Sequence, residues 1–393
     1  MPTAVLALLL AAPPGPPTFA AHTAAGDLAP AAVEAVGPDL AVRFSAGPGV
    51  PAGQLLTLAR AGVERPGWPA GPHVVLTNGD RVAGRVAGGD ARVVRFFPAL
   101  VPDADPWPVP VAAVAAVWVQ APPADLVDPA RPAWAAPKAD ALCLRTGDVR
   151  TGTVEAFTAD PPGVRLKPAG KGAEVVPLAD LAAAALDPTL ARPRKLKGTA
   201  VRATFTDGSR VTLTAVEVAD GTLTGTTAFA AKLVVPLDRV VALDVLGGKL
   251  VDLSDLTPVE SEVAGFTGAG WPWTRDRAVT GGPLRLPGAG TLDRGVGTHA
   301  LTRLTFAVPD GAAAFTSLVG LDPVAGRRGT ADVSVLVDGR PAASPGRLTF
   351  VSGAVPVRVP LAGAKRLTLV VDYGPAGGVQ AAVNWGLPRV VLE

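Results

Sequence analysis

Residues 332–339 read DVSVLVDG, so that valine occupies every second position before an Asp-Gly pair. Alternation with a period of two is typical of a β-strand with one buried face, and Asp-Gly favours the positive φ angles of a tight hairpin turn. Similar alternating runs occur at 304–308, 366–371 and 388–392. Two packed antiparallel sheets would bury the alternate positions of all these runs, so the last third of the chain predicts a β-sandwich.

The composition of the 393 residues favours many short strands. Hydrophobic residues make up 48% of the chain, and Gly (45) and Pro (41) are abundant, which is typical of strands joined by turns. Lys and Arg (36) nearly balance Asp and Glu (34), so no long-range field attracts nucleic acid or an anionic membrane. The length predicts about two to four domains.

The N-terminal region carries an apolar run, residues 4–12 (AVLALLLAA), ahead of the first charged residue, Asp27. The run is shorter than the roughly 20 residues that span a bilayer, and it resembles a secretory signal. Residues 1–26 are therefore predicted to be a signal peptide or a disordered leader, with cleavage at Ala20 or at an alanine up to Ala25. No later run is long and apolar enough to cross a membrane.

A hairpin pattern recurs three times before the C-terminal third. Residues 76–86 (LTNGDRVAGRV), 144–154 (LRTGDVRTGTV) and 205–213 (FTDGSRVTL) each place a glycine turn between two strand-like runs. Aspartate in such turns bonds nearby backbone N–H groups, which by itself explains Asp80 and Asp148. We therefore do not expect these two carboxylates to form a catalytic pair.

A second signal follows each hairpin at a nearly constant distance. The prolines of three Val-Pro pairs, at 109–110, 176–177 and 235–236, lie 31, 30 and 28 residues after the turn glycine. Such constant offsets indicate internal repeats. An earlier pair, Val50-Pro51, marks a degenerate copy whose hairpin is expected to be worn or lost.

These signals predict an all-β chain of tandem small β-barrel or bent-sheet repeats followed by the sandwich. The expected boundaries are 1–26 for the leader, 27–65 for the degenerate repeat, 66–125, 126–190 and 191–257 for three repeats, and 258–393 for the sandwich. Short strands avoid exposed edges by closing or bending strongly, and the Gly-Asp turn is generically similar to that of Sm-like small barrels. The Pro-rich segments between repeats are expected to be semi-rigid spacers, and the Ala-rich residues 179–186 to form a helical turn.

Several motifs in the C-terminal third follow a fixed order. They include Trp271-Pro272-Trp273, Arg275-Asp276-Arg277, residues 295–300 (GVGTHA), residues 319–322 (VGLD) and Asn384-Trp385. In this order and spacing they resemble the NPCBM family, carbohydrate-binding modules found beside glycoside hydrolases. The resemblance covers about 135 residues and implies a galactose-binding-like β-sandwich, or jelly roll, that binds sugar.

The resemblance and the chemistry of sugars together select nine candidate ligand-binding residues. An aromatic ring stacks on the apolar face of a pyranose, and planar polar groups bond its hydroxyls. The candidates are Trp271, Trp273, Asp276, Arg277, His299, Asp322, Tyr373, Asn384 and Trp385.

Structural roles stay open for many of these residues. Trp385 precedes the last strand and is expected in the core, and His299 can tie a loop together. Asp276 and Arg277 can form an internal ion pair. Asp322 can cap a turn or contribute to a calcium site, which would need six to eight oxygen ligands; no other cofactor is expected.

The sequence departs from the family near its C-terminus. Ala381 and Ala382 stand where the family has polar groups, and Asn384 replaces an aspartate. Two functions therefore stay open. The protein is either an exported, non-catalytic protein whose sandwich binds a glycan or polysaccharide, or a structural scaffold whose β repeats mediate protein–protein contacts and whose sandwich is silent toward sugar.

An enzymatic function is disfavoured. A glycoside hydrolase needs two carboxylates about 5–9.5 Å apart in a large cleft, and small repeats occupy the chain before the sandwich. His22, His73 and His299 are too scattered in sequence for a metal cluster. We expect a secreted, periplasmic or cell-surface protein whose partners are carbohydrate and a glycoside hydrolase or other surface protein, and not nucleic acid.

Overall fold

The computed structural model describes residues 15–123, 126, 128–191, 198–265 and 270–393. Within these ranges the chain forms β-strands and short 3-10 helices but no α-helix, so the all-β prediction is confirmed. No helix in the same ranges is long and apolar enough to span a membrane. The apolar run at 4–12, on which the signal-peptide prediction depends, lies outside the described residues.

The strands before the sandwich form small units with short connections. They are β1 (Thr18–Thr23), β2 (Asp27–Val36), β3 (Val42–Phe44), β4 (Leu55–Arg60), β5 (His73–Leu76), β6 (Arg81–Gly89), β7 (Val93–Pro98), β8 (Trp107–Pro110), β9 (Val114–Trp118), β10 (Asp140–Leu144), β11 (Val149–Ala159), β12 (Pro162–Lys167), β13 (Glu174–Pro177), β14 (Leu181–Ala185), β15 (Ala200–Phe205), β16 (Arg210–Ala219), β17 (Thr222–Thr227), β18 (Lys232–Pro236) and β19 (Val240–Leu246). The 3-10 helices Val111–Ala113 and Leu237–Arg239 precede β9 and β19.

These strands group into four units with one topology, which we call unit 1 (β1–β4), unit 2 (β5–β9), unit 3 (β10–β14) and unit 4 (β15–β19). In units 2 to 4 the first strand pairs with both the second and the fifth, and the second, third and fourth pair in order. The long second strand carries a register shift in every unit, for example between Val86 and Gly88. Because such a bulge bends a strand, one strand serves both halves of a small barrel.

The repeated sequence signals mark the corners of this topology. Gly79, Gly147 and Gly208 adopt φ angles of 87°, 92° and 86° at the turn between the first and second strands, as the hairpin pattern predicts. The Val-Pro pairs end the fourth strand, and the fifth strand begins four residues after each proline, at Val114, Leu181 and Val240. Proline suits this position because it has no N–H to donate to the sheet.

Unit 1 retains its hairpin, and the prediction that the hairpin was lost is wrong. β1 pairs with β2 and with β4, and Phe19 and Ala21 are fully buried. Cleavage at Ala20 or Ala25 would remove part or all of this buried strand, so the predicted leader extends too far and residues 18–26 belong to unit 1. In unit 1 the strand that corresponds to β8 of unit 2 is reduced to a bridge between Val42 and Val50. β4 then takes the position of the fifth strand, since it pairs with β1.

The units pack in pairs and share one hydrophobic core. β4 of unit 1 pairs with β19 of unit 4, and β9 of unit 2 pairs with β14 of unit 3. The Ala-rich β14, which was expected to be a helical turn, is completely buried because β9 and β10 flank both its edges. This pairing outweighs the helix propensity of alanine, and the small side chains allow units 2 and 3 to approach closely.

The Pro-rich linkers pack against the units, so the spacer prediction is wrong where the linkers are described. The Trp118 Nε1–H donates to Pro129 O at 2.9 Å, and the Trp134 ring meets the Trp118 ring edge-on at 6.1 Å. His73 lies between Trp68 and Trp118, with ring centroids 6.0 and 6.3 Å away. Trp68 of a linker and Trp118 of β9 therefore flank His73, and Trp134 of the next linker packs on Trp118.

The strands of the sandwich follow a Gly-Gly connection at 247–248. They are β20 (Leu250–Asp252), β21 (Glu260–Val263), β22 (Thr274–Arg275), β23 (Leu284–Leu286), β24 (Gly290–Leu292), β25 (Gly295–His299), β26 (Thr302–Ala307), β27 (Ala312–Leu321), β28 (Thr330–Val337), β29 (Arg340–Thr349), β30 (Val355–Pro360), β31 (Arg366–Tyr373) and β32 (Ala382–Leu392), with a 3-10 helix at Leu253–Asp255.

Two antiparallel sheets form this sandwich, as the alternating runs predict. One has the order β22-β25-β32-β27-β30, with β20 also paired to β32, and the other has the order β21-β26-β31-β28-β29. Their facing sides enclose a core that includes Phe306, Phe315 and Trp385. Because β20 pairs with the last strand, the sandwich begins near residue 250, before the expected boundary at 258.

A buried charged cluster joins the sandwich to units 2 and 4. Asp293, which follows β24, lies 2.9 Å from Arg81 NH1, 2.5 Å from Arg210 NH1 and 3.9 Å from Arg202 NH1. Burial alone would raise the pKa of the Asp293 carboxyl, but the three arginines hold it well below its usual range. Burial lowers the pKa of Arg81 to about 10. The carboxylate is therefore the main counter-charge for arginines from two different units.

We expect Asp293→Ala to lower the free energy of unfolding by about 3–5 kcal/mol, because it leaves buried arginines without their carboxylate. Urea denaturation at pH 7 measures this. Asp332→Ala is the matched control, since Asp332 pairs with Arg347 at the surface, at 2.9 Å, and should cost less than about 1 kcal/mol. Equal losses in the two variants would contradict the central role of Asp293.

The burial of His73 predicts a loss of stability in acid. Burial lowers the pKa of His73 from 6.5 to about 4, although its Nδ1–H donates to Gly71 O at 2.8 Å. Between these two pH values the unfolded chain binds a proton that the folded chain excludes, so stability falls as the pH falls. The expected loss is about 3 kcal/mol between pH 7 and pH 4.

Urea titrations at pH 7, 5.5 and 4 test this expectation with the His73→Phe variant. The variant should show a flatter dependence of unfolding free energy on pH, because phenylalanine cannot be protonated. A slope unchanged in His73→Phe would show that another group causes the acid sensitivity.

Candidate functional site

Two of the nine candidate residues, Asn384 and Trp385, are buried on β32. Both have no exposed surface. Trp385 packs in the core between the sheets, while Asn384 points to the other side of β32 and donates its Nδ2–H to Arg285 O at 2.9 Å. A surface ligand cannot reach either side chain, so the prediction that they contact sugar is wrong. Ala381 and Ala382 are also buried.

Residues 276–292, which we call the covering segment, shield the outer side of this sheet. Gly297 of β25 and Gly320 of β27 flank Asn384 in the register of the sheet. A Cβ on Gly297 would lie 2.3 Å from Arg277 O, and a Cβ on Gly386 would lie 2.2 Å from Leu292 Cδ1. Glycine is therefore required here because the covering segment approaches the strands so closely.

Asp276 and Arg277 have different partners and do not form the internal ion pair that was considered. Asp276, at a φ of 52°, accepts hydrogen bonds from Arg294 NH1 at 2.8 Å and Gly295 N at 2.9 Å. Burial raises the pKa of Asp276 despite Arg294. Arg277 donates to Asp128 Oδ2 at 2.6 Å. Asp276 thus anchors the start of the covering segment, and Arg277 connects it to the linker between units 2 and 3.

Asp322 is buried and caps a turn. Its carboxylate accepts hydrogen bonds from Thr280 Oγ1 at 2.7 Å and from Val324 N at 3.1 Å, which ties the covering segment to the end of β27. Among the described residues, no group of three or more His, Cys, Asp or Glu side chains is placed to hold a metal ion. Calcium at Asp322 stays an untested prediction.

Three of the predicted residues meet at the surface, where β25 and β31 end. The Trp271 ring stacks on the His299 ring, with centroids 5.4 Å apart and planes inclined by 16°, and 52% of Trp271 is exposed. An ideal Cβ on Gly378 would lie 3.1 Å from Tyr373 Cε1 and 3.8 Å from His299 Cε1. Gly378 therefore packs closely against Tyr373 and His299, and we call Trp271, His299 and Tyr373 the aromatic site.

Trp273 does not share this surface. Its ring is half-buried against the sandwich core, and the Arg275 guanidinium lies 5.2 Å from the ring centroid. Of the two tryptophans in the Trp-Pro-Trp motif, one is therefore structural and the other exposed.

Two residues that the sequence did not single out, Gln380 and Gly378, shape the loops beside the aromatic site. Gln380 Oε1 accepts the backbone N–H of Arg328 at 2.9 Å, which connects the loop after β27 to the loop before β32. Gly378 leaves room for Tyr373 and His299. The only sequence signal was the pair Gly377-Gly378 shortly before β32, and a glycine pair alone does not distinguish a ligand site from a turn.

The fold and this surface define a β-sandwich module with an exposed aromatic platform. Residues 249–391 match the NPCBM/NEW2 domain. The C-terminal part of the chain is therefore an NPCBM/NEW2 domain, and the resemblance seen in the sequence is confirmed.

Relatives of known name or structure resemble parts of the chain. A Renibacterium salmoninarum protein named as an endo-alpha-N-acetylgalactosaminidase is 33% identical over 105 residues, which is 27% of this chain and 7% of that protein. CBM51 from Clostridium perfringens GH95, solved with methyl-galactose, is 23% identical, covers 36% of this chain and 99% of its own, and has a TM-score of 0.34. The tandem CBM51 modules of Streptococcus pneumoniae Sp3GH98 are 14% identical, cover 71% of this chain and 77% of their own, and have a TM-score of 0.33.

The different partners of Asp276 and Arg277 predict different costs of mutation. Asp276→Ala should lower the free energy of unfolding by about 1–3 kcal/mol, because it leaves Arg294 NH1 and the Gly295 N–H without their acceptor. Arg277→Ala breaks a largely exposed pair and should cost about 1 kcal/mol or less. Chemical denaturation compares them, with Asp276→Asn as the milder variant that tolerates the positive φ. A larger loss in Arg277→Ala would contradict this assignment.

Proposed function

We propose that the NPCBM/NEW2 domain binds carbohydrate at the aromatic site, and that the whole chain is an exported, non-catalytic accessory protein. The observation that carries the proposal is Trp271. One face of its ring is covered by His299 at 5.4 Å, yet half of the side chain is exposed, so its other face is available to the apolar side of a pyranose.

Polar atoms beside this ring suit the hydroxyls of a sugar. His299 Nδ1 lies 2.7 Å from Ala300 O; since a carbonyl oxygen only accepts, Nδ1 carries the proton and Nε2 is left as an acceptor. The Tyr373 hydroxyl is buried without a hydrogen-bond partner in the described part of the chain. The His299 acceptor beside the exposed Trp271 ring suits a pyranose hydroxyl, whereas the Tyr373 hydroxyl presents no surface to a ligand.

The match of residues 249–391 to the NPCBM/NEW2 domain supports carbohydrate as the ligand class. The NPCBM/NEW2 match covers the residues that form the aromatic site. The solved modules were obtained with methyl-galactose and, in Clostridium perfringens ZmpB, with GlcNAc, and the curated relative bears the name of a hydrolase. We infer that this chain delivers a partner such as a glycoside hydrolase to its substrate, outside the cytoplasm.

A scaffold function is the second candidate, and the packing of the units favours it. Units 1 to 4 share one core, and Asp293 locks the sandwich onto units 2 and 4. Such a rigid base would present its surfaces in a fixed orientation to protein partners, whether or not the aromatic site binds sugar.

A glycan array followed by calorimetry on the full chain tests the proposal. Trp271→Ala should weaken binding by about tenfold or more, because the stacking surface is lost. Trp273→Ala is the matched control, since it removes the same side chain from a position outside the aromatic site. Circular dichroism checks that both variants remain folded.

Each outcome decides between the two candidate functions. Saturable binding that Trp271→Ala loses and Trp273→Ala retains would support carbohydrate binding at the aromatic site. Binding that both variants retain would place the sugar elsewhere. No binding to any glycan by the folded parent chain would favour the scaffold function.

A further inference from the structure

A cavity lies between unit 1 and the sandwich, away from the aromatic site. Its volume is about 300 Å³, which is at the lower end of small-molecule sites. The end of β1 and the start of β4 line one side, and β27, β30 and β32 line the other. The cavity is far from the aromatic site along β32. Ala382 pairs with His299 of the aromatic site, and Arg389 of the cavity lies seven residues further on, which corresponds to about 23 Å along a strand.

The sandwich side of this cavity presents a row of three polar side chains. Thr316 of β27 pairs with Arg389 of β32 on one edge and with Arg358 of β30 on the other. Paired residues of neighbouring strands point to the same side of a sheet, and all three line the cavity. Two arginines therefore flank a threonine hydroxyl that has no hydrogen bond to the described residues.

The guanidinium groups have hydrogen-bonding capacity to spare. Arg389 is 2% exposed; its Nε lies 3.2 Å from Asp252 Oδ1 and its NH1 3.2 Å from Leu56 O. Its NH2 has no partner in the residues that the structure describes. A buried N–H without an acceptor is costly, and an acceptor from a ligand or from water beside Arg389 would remove that cost.

Arg65 resembles Arg389, since in the described part of the chain each is paired with a carboxylate and keeps one unpartnered N–H, whereas the charge of Arg358 has no carboxylate partner there. Arg65, 7% exposed, pairs with Asp244 at 3.0 Å, while its Nε is unpartnered in the described ranges. The Arg358 NH1 donates to Thr23 O at 3.1 Å, and no carboxylate of the described residues lies within 4 Å of its side-chain nitrogens. The acidic residue of the lining, Asp27, is paired with His22 at 2.9 Å. The cavity therefore favours an anion.

Apolar side chains form the remaining walls. Leu318 and Pro356 lie opposite each other in the row next to Thr316, and Leu56, Val357 and Leu387 complete the lining. An inorganic anion would gain nothing from these walls, whereas a molecule with an apolar body would bury its surface against them. The lining thus fits a ligand that has a charged end and an apolar end.

We propose that this cavity binds a small organic carboxylate. The carboxylate lies at the row formed by Arg358, Thr316 and Arg389, and the apolar body lies against Leu318 and Pro356. The bidentate geometry of arginine and carboxylate favours this orientation. The inference is independent of the proposed sugar binding, because no residue of the aromatic site lines the cavity.

Calorimetry and thermal shift on the full chain test this with benzoate and hexanoate, using the neutral benzamide and hexanamide as matched probes. We expect saturable binding of the carboxylates, with the amides weaker by about tenfold or more because they lack the charge. Arg358→Gln should weaken carboxylate binding by about tenfold, and Thr316→Val by less. Arg340→Gln, which removes an equal charge from an exposed turn, should change nothing.

The remaining outcomes are equally specific. Trp271→Ala should retain carboxylate binding even where it abolishes sugar binding, so the two proposals can fail separately. Equal affinity for acids and amides would overturn the role of the arginines. Binding of inorganic sulfate as tight as that of benzoate would overturn the organic class, and no binding of any carboxylate by the folded parent chain would mean that water alone occupies the cavity.

Discussion

The carboxylate of Asp293 lies among Arg81 of unit 2 and Arg202 and Arg210 of unit 4, and the placement of the sandwich depends on this contact. Like-charged guanidinium groups repel each other when they are buried, so without a carboxylate the three arginines would not remain together. Asp80 adds a second connection, since it accepts hydrogen bonds from Thr212 N at 2.8 Å and Thr212 Oγ1 at 2.6 Å. The result is a rigid base from which the sandwich projects in a fixed orientation.

The covering segment determines which part of the sandwich can bind a ligand. Because glycines on β25, β27 and β32 allow residues 276–292 to lie directly on the sheet, the middle of that side is closed to solvent. Asp276 and Asp322 anchor this segment through hydrogen bonds. The open surfaces are then at the two ends of β32, where the aromatic site and the carboxylate cavity lie. Both proposed sites therefore lie in the loops and interfaces around the strands and not on the strands with the clearest motifs.

Burial explains why particular candidate residues failed. Trp385 and Asn384 belong to a recognisable motif, but the motif marks the packing of the last strand on both of its sides. Trp271 belongs to a short loop motif, and the exposure of its ring could not be distinguished from that of Trp273 by sequence, since the two flank one proline. The distinction arises because Arg275 and the core cover the Trp273 ring, while the Trp271 ring stacks on His299 with one face only.

The sequence by itself determined the local elements: the hairpin turns at Gly79, Gly147 and Gly208, the strand breaks at the Val-Pro pairs, and the alternation that builds the sandwich. These depend on φ angles, on the missing N–H of proline and on the period of two, which are properties of neighbouring residues. Only the tertiary structure decided that β1 belongs to unit 1, that the units pair as 1 with 4 and 2 with 3, and that Asp293 joins three arginines far away in the chain. Such contacts depend on shape and charge complementarity between segments that are distant in sequence, and no local pattern records them.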